Sequence, residues 1–129
     1  MILLDTHVVV WLAADARKLS RLARRAIERA RQDGGLAISC LTFFELTHLV
    51  VGQRIVIAGS LDLFLEQIES RFVVIPLDSR IAARSVQLPA SYPNDPMDRM
   101  IGATALARDL ALVTAADRIR GCGAVKTIW

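Results

Sequence analysis

The sequence predicts an α/β protein: a central, mainly parallel, twisted sheet with helices on both faces. Three observations predict it. The chain opens on Met1-Ile2-Leu3-Leu4-Asp5-Thr6, a uniformly apolar run that ends on a carboxylate. A run of that kind suits a strand buried on both faces, at the centre of a parallel sheet. Four further short apolar runs follow, at Leu36–Ser39, Phe72–Ile75, Ala111–Thr114 and Ala124–Ile128. Between these runs lie segments with helical periodicity, and strands alternating with helices imply parallel pairing with helices covering the sheet.

In chain order, Val8–Ala14 reads as a short helix or turn. Leu19–Gln32 reads as an amphipathic helix with Leu19, Leu22, Ala26, Ile27 and Ala30 on its apolar stripe and Ser20 as its cap. Arg21, Arg25 and Arg29 recur on the outer face, where a solvated row is the default and phosphate contact the alternative. Asp33-Gly34-Gly35 stops that helix. Thr42–Val51 reads as a helix broken near Gly52, and Leu61, Phe64, Leu65 and Ile68 mark another. Pro76 ends the third strand, and Asp78 caps a helix over Ser79–Leu88. A loop with Pro89 and Pro93 leads to a helix over Asp95–Arg108. No repeat, linker or low-complexity tract is visible, so residues 1–129 read as one domain.

Composition narrows the class. Apolar residues make up 53% of the chain and the mean hydropathy is +0.41, high enough to expect an apolar interface with a partner or second copy. No apolar run approaches the ~18 residues of a membrane span, and Met1 begins a strand rather than the basic start of a signal peptide. Cys40 and Cys122 show neither metal spacing nor a disulfide framework, so a cytoplasmic protein is expected. The net charge is +3, and the only lysines are Lys18 and Lys126. Arginine suits phosphate recognition, but only as weak evidence for nucleic acid.

The acids carry the chemistry. In open α/β sheets ligands bind beyond the carboxyl ends of the strands. Asp5 sits at such an end without a cationic neighbour in sequence. Burying an unpaired carboxylate is costly, so either a hydrogen-bond cage or a metal ion must compensate it. Glu45 lies one turn past strand two, Asp95 and Asp98 open the helix before strand four, and Asp117 follows strand four. Each has a structural alternative. Thr42 to Glu45 fits a capping box. Asp95-Pro96 fits an N-cap followed by proline, and Asp98 then suits the helix dipole. Asp117 fits a first-turn acid. Together, however, acids converging on one sheet edge would repel one another unless a cation sat among them. An all-oxygen set suits Mg²⁺ or Mn²⁺, which can activate water and neutralise a phosphodiester. His7 and His48 do not form a ligand pair by spacing, and Asp78 is left out of the set as an N-cap.

The ordered pieces resemble a known family. They are Leu3-Leu4-Asp5-Thr6-His7 with Trp11, Ser39 through Glu45-Leu46, Asn94-Asp95-Pro96-Met97-Asp98-Arg99 leading into Ala103-Thr104-Ala105-Leu106, and Leu112-Val113-Thr114, ending at Ile128-Trp129. Their order and spacing are similar to those of a PIN domain, specifically the VapC-type toxins of toxin–antitoxin pairs. The resemblance implies a PIN-like three-layer α/β/α fold and a metal-dependent endoribonuclease. It implies Asp5, Glu45 and Asp98 as the active site, with Asp5 and Asp98 as the main Mg²⁺ ligands, and Asp95 as an assistant or a cap. It further implies a homodimer, an RNA substrate and a small VapB-type antitoxin. The family's fourth acid stands two residues after the threonine ending strand four, where this chain has Ala116; Asp117 comes one residue later. Asp117 is therefore expected in an auxiliary catalytic role. That shift also supports an alternative, a catalytically weakened PIN domain that binds RNA or a partner. A phospho-acceptor signalling domain fits less well, because no acid precedes Asp5.

Overall fold

The computed structural model describes every residue from Met1 to Trp129. Its elements run β1 (Ile2–Leu4), α1 (Thr6–Ala14), a 3₁₀ turn (Ala16–Lys18), α2 (Arg21–Gln32), β2 (Leu36–Ser39), α3 (Leu41–Val51) and α4 (Leu61–Arg71). They continue with β3 (Val73–Ile75), α5 (Ser79–Gln87), α6 (Pro96–Arg108), β4 (Leu112–Val113), α7 (Asp117–Cys122) and β5 (Thr127–Ile128). One five-stranded sheet has the order β3-β2-β1-β4-β5, and all four pairings are parallel.

Alternation along each strand builds the three layers. Leu3, Ala37 and Leu112 face a core shared with Ile81, Ile101 and Ile119 of α5, α6 and α7. Leu4, Ile38 and Val113 face the opposite core, with Val8 of α1, Ile27 of α2, Leu46 of α3 and Ile68 of α4. β1 is central, and both its faces are covered, so its run lacks polar alternation. The chain winds from β1 to β2 and β3 on one side, then returns to β4 on the other side of β1. That reversal beside β1 is where strand ends leave a crevice, and Asp5 stands at its mouth.

Several expectations are corrected. Leu22 is 59% exposed rather than part of the α2 stripe, because Ala23, Ile27 and Ala30 alone fill that contact. The last strand shrinks to Thr127–Ile128, and α7, which the sequence reading did not propose, occupies Asp117–Cys122. Six residues are too few to show a periodic stripe; Ile119 is its one buried residue.

Two glycines are required by close approaches. Gly34 adopts φ +98° where the chain turns from α2 into β2, and a side chain there would strike the Met1 backbone. Gly102 in α6 lies under the Tyr92 ring, and a methyl group would overlap its Oη and Cζ atoms. Tyr92 is 1% exposed and donates its hydroxyl to the Asp98 carbonyl at 3.0 Å. Gly102→Ala should therefore cost about 2 kcal/mol through overpacking, measured by urea denaturation. A variant as stable as the parent would show that the ring moves freely.

Candidate active site

Asp5 is 9% exposed and fixed on both sides. Its Oδ1 accepts from the Thr6 backbone N–H at 2.7 Å, capping α1. Its Oδ2 accepts from Thr114 Oγ1, also at 2.7 Å. Thr114 ends the neighbouring strand, and its hydroxyl in turn accepts from the Ala116 backbone N–H. The cage expected as one alternative for Asp5 is thus present, but it supplies no positive charge: no Lys or Arg pairs with this carboxylate.

Glu45 does not close a capping box with Thr42. The residue preceding α3 is Cys40, which makes no side-chain cap, and Thr42 lies buried inside the helix. The Glu45 carboxylate instead accepts from Thr6 Oγ1 at 2.7 Å. Thr6 Oγ1 also lies 3.3 Å from Thr42 Oγ1. A hydroxyl carries one proton, and the shorter contact to a carboxylate claims the one on Thr6. The Thr6 hydroxyl thus sits between the Glu45 carboxylate and the Thr42 hydroxyl and ties α3 to the turn that holds Asp5.

Asp98 enters from the third helical position of α6. Asp95 caps that helix, its Oδ1 accepting from the Met97 and Asp98 backbone N–H groups at 2.9 and 3.2 Å. Pro96 follows it at the first helical position. Arg99 does not face the acids. It donates to the carbonyls of Leu88 at 3.2 Å and Pro93 at 3.4 Å, and lies over the Tyr92 ring. This clamp fixes the α5–α6 loop and the start of α6.

The electrostatics link the three acids. Burial, and then the charges of Asp5 and Asp95, push the Asp98 carboxyl up from 3.8 to about 6, with His7 acting the other way. Burial raises Glu45 as well; the Thr6 hydrogen bond opposes this, while Asp5 and Asp98 add to it. Three elements therefore bring mutually repelling carboxylates to one sheet edge. Their donor chemistry, oxygen throughout, fits a hard divalent ion. No three acidic, histidine or cysteine side chains close into a ready coordination shell.

Asp117 is placed apart. Its side chain is 89% exposed and ion-paired to Arg120, and it is absent from the charges that shift Glu45 or Asp98. Asp78 caps α5 through the Ile81 backbone N–H at 2.8 Å and pairs with Arg108 at 2.9 Å. His7 is exposed and packs near Trp11, while His48 bonds the Phe44 carbonyl. The parts missed in the sequence are the supporting hydroxyls of Thr6 and Thr114 and the Tyr92–Arg99 clamp. Both threonines lie at the ends of apolar strands, which was the available signal; nothing local marks Tyr92.

A doubly wound parallel sheet with caged and coupled acids at its switch point describes a class, and comparison with known proteins names it. Residues 2–121 match the PIN domain, and the chain belongs to that family. Within it the chain is of the VapC type: it is 38% identical over 119 residues to Ribonuclease VapC22 of Mycobacterium tuberculosis (strain ATCC 25618 / H37Rv), covering 92% of this chain and 89% of that one. Among solved structures, a toxin–antitoxin complex from Klebsiella pneumoniae matches at 26% identity and TM-score 0.69, over 97% of this chain and 95% of that one. VapBC2 from Rickettsia felis, bound to a promoter DNA fragment, shares the fold at 18% identity and TM-score 0.75, over 98% and 97%.

Proposed function

We propose that this protein is a divalent-metal-dependent endoribonuclease, the toxin of a type II toxin–antitoxin pair, restrained by a VapB-type antitoxin. The observation that carries the chemistry is the convergence of Asp5, Glu45 and Asp98 from the end of β1, α3 and α6, with no Lys or Arg paired to any of them. The relative named a ribonuclease and the toxin–antitoxin complexes that share the fold support the substrate class and the partner.

Asp5 and Asp98 would hold Mg²⁺ or Mn²⁺. When bound, the ion supplies positive charge to a phosphodiester and lowers the pKa of water. The protein's part is positioning. The Thr6 and Thr114 bonds hold both oxygens of the Asp5 carboxylate in place. Glu45, steered by Thr6, orients an attacking water and takes its proton, a role its raised affinity for a proton favours. The capped start of α6 fixes Asp98 in place. Asp117, paired to Arg120 at the rim, takes no direct part in the step.

No helix is long and apolar enough to cross a membrane. Exposed Phe44 and Val51 on α3 suit contact with the antitoxin or a second copy in a homodimer. The exposure of Asp117 favours one other reading, a weakened nuclease that binds RNA or a partner without cutting. Incubating the purified protein with RNA separates the two. Cleavage should appear with Mg²⁺ or Mn²⁺ and stop in excess chelator, and Asp117→Asn should retain most of the rate. Cleavage that persists in chelator would end the metal mechanism, and none under any metal would favour the binding module.

A further inference from the structure

Helix α2 carries a row of cations that the catalytic chemistry does not use. Between residues 17 and 31 stand Arg17, Lys18, Arg21, Arg24, Arg25, Arg29 and Arg31, against one acid, Glu28. That is six net positive charges in a chain whose total is +3, so the remainder of the molecule is net negative. All seven cations are exposed. Only Arg17 is ion-paired, to Asp15; the other ion pairs in the chain lie elsewhere, on Arg108, Arg120 and Lys126.

Arg21, Arg25 and Arg29 recur every four residues, so they rise along one face in steps of about 6 Å. The opposite face is committed: Ala23, Ile27 and Ala30 are buried against the sheet. A membrane surface needs a free apolar face beside the cations, and the only apolar side chain α2 leaves exposed is Leu22, one residue rather than a face. What remains is a fixed ridge of planar, permanently charged forks on the flank of the sheet whose end carries the acids. Six of the seven cations are arginine, the side chain that matches phosphate in bidentate geometry. A polyphosphate backbone meets such a ridge in any register, whereas an acidic peptide would need acids at matching intervals.

We propose that the exposed face of α2 is a phosphate-tracking surface that holds the body of a structured RNA while its scissile segment lies at the acids. The proposal rests on RNA as the substrate. It assigns to Arg21, Arg25 and Arg29 affinity for the RNA backbone and no part in the chemical step.

The test is equilibrium binding of a labelled RNA stem-loop, read by fluorescence anisotropy in chelator, so that it does not depend on cleavage. The variant is the triple Arg21→Gln, Arg25→Gln, Arg29→Gln, because glutamine keeps helix propensity; circular dichroism checks its fold. The comparison variant is Arg80→Gln with Arg84→Gln, on α5 across the sheet. Binding by the triple variant should weaken at least tenfold near 0.1 M salt, and its log K against log salt slope should flatten by about 2, since each lost phosphate contact removes about 0.7–0.9. The α5 variant should bind almost as the parent does. In cleavage assays the triple variant should raise KM and leave kcat unchanged. An unchanged affinity and slope would overturn the proposal, as would an equal loss in the α5 variant. So would intact RNA binding with lost binding of the cognate antitoxin, which would assign the ridge to a protein. If no metal supports cleavage, the ribonuclease reading fails while the anisotropy still decides the ridge.

Discussion

Asp5→Asn should reduce RNA cleavage by about a thousandfold or more while leaving the fold in place, the range expected when a charged group at the reacting centre is lost. The structural part of the change is small. Asparagine presents an oxygen to the Thr6 backbone N–H in place of Oδ1, so the α1 cap survives. Its amide nitrogen faces Thr114 Oγ1, which now donates to Asp5 Oδ2 and would have to turn to accept. Exchanging one good hydrogen bond for a poorer one costs about 1 kcal/mol. The electrostatic part is large, because this buried side chain supplies the charge that both other acids feel. Cleavage rate and melting temperature measured on one preparation separate the two. A collapse of both together would make Asp5 a structural residue.

Asp98→Asn should abolish cleavage to a similar degree and, without metal, stabilise the protein at neutral pH. The Asp98 carboxyl is raised from 3.8 to about 6, first by burial and then by Asp5 and Asp95. Below the lower value the group is protonated in the folded and unfolded chain alike, and its contribution to stability is fully present. As the pH climbs toward and through 6 the unfolded chain releases its proton first, and that contribution is lost. At pH 7.5 the folded protein therefore carries a repulsive charge that asparagine removes. The side chain is partly open to solvent, so screening reduces the effect to on the order of 1 kcal/mol. The weaker helix-dipole interaction takes back a few tenths of that. The melting temperature in chelator should rise by about 3 °C at pH 7.5 and stay level at pH 4. An unchanged melting temperature at pH 7.5, or an equal gain at both pH values, would contradict the assigned electrostatics.

Much of this was legible in the sequence for identifiable reasons. β1 announces itself because both its faces are buried, and Asp5 because a carboxylate buried directly after such a strand needs compensation. Asp95-Pro96 reads correctly as a cap because proline at the first helical position is a local rule. Glu45 read equally well as a cap or a site acid, because the choice depends on Thr6, thirty-nine residues away in sequence. The Tyr92–Gly102 contact is likewise a tertiary fact with no local trace. The outward position of Asp117 depends on α7, a helix too short to show a period, and on Arg120 one turn later.

Whether Asp5 and Asp98 together hold a divalent ion is read from a Mn²⁺ titration of the RNA-free protein at pH 7.5, followed as melting temperature. A ligand at a hundred times its Kd adds about 2.7 kcal/mol to the folded state. The parent protein and Asp117→Asn should therefore gain several degrees, saturably, while Asp5→Asn and Asp98→Asn gain almost nothing. A parent protein that does not respond to Mn²⁺, or an Asp98→Asn variant that responds as fully as the parent, would contradict a divalent-ion site on these two acids.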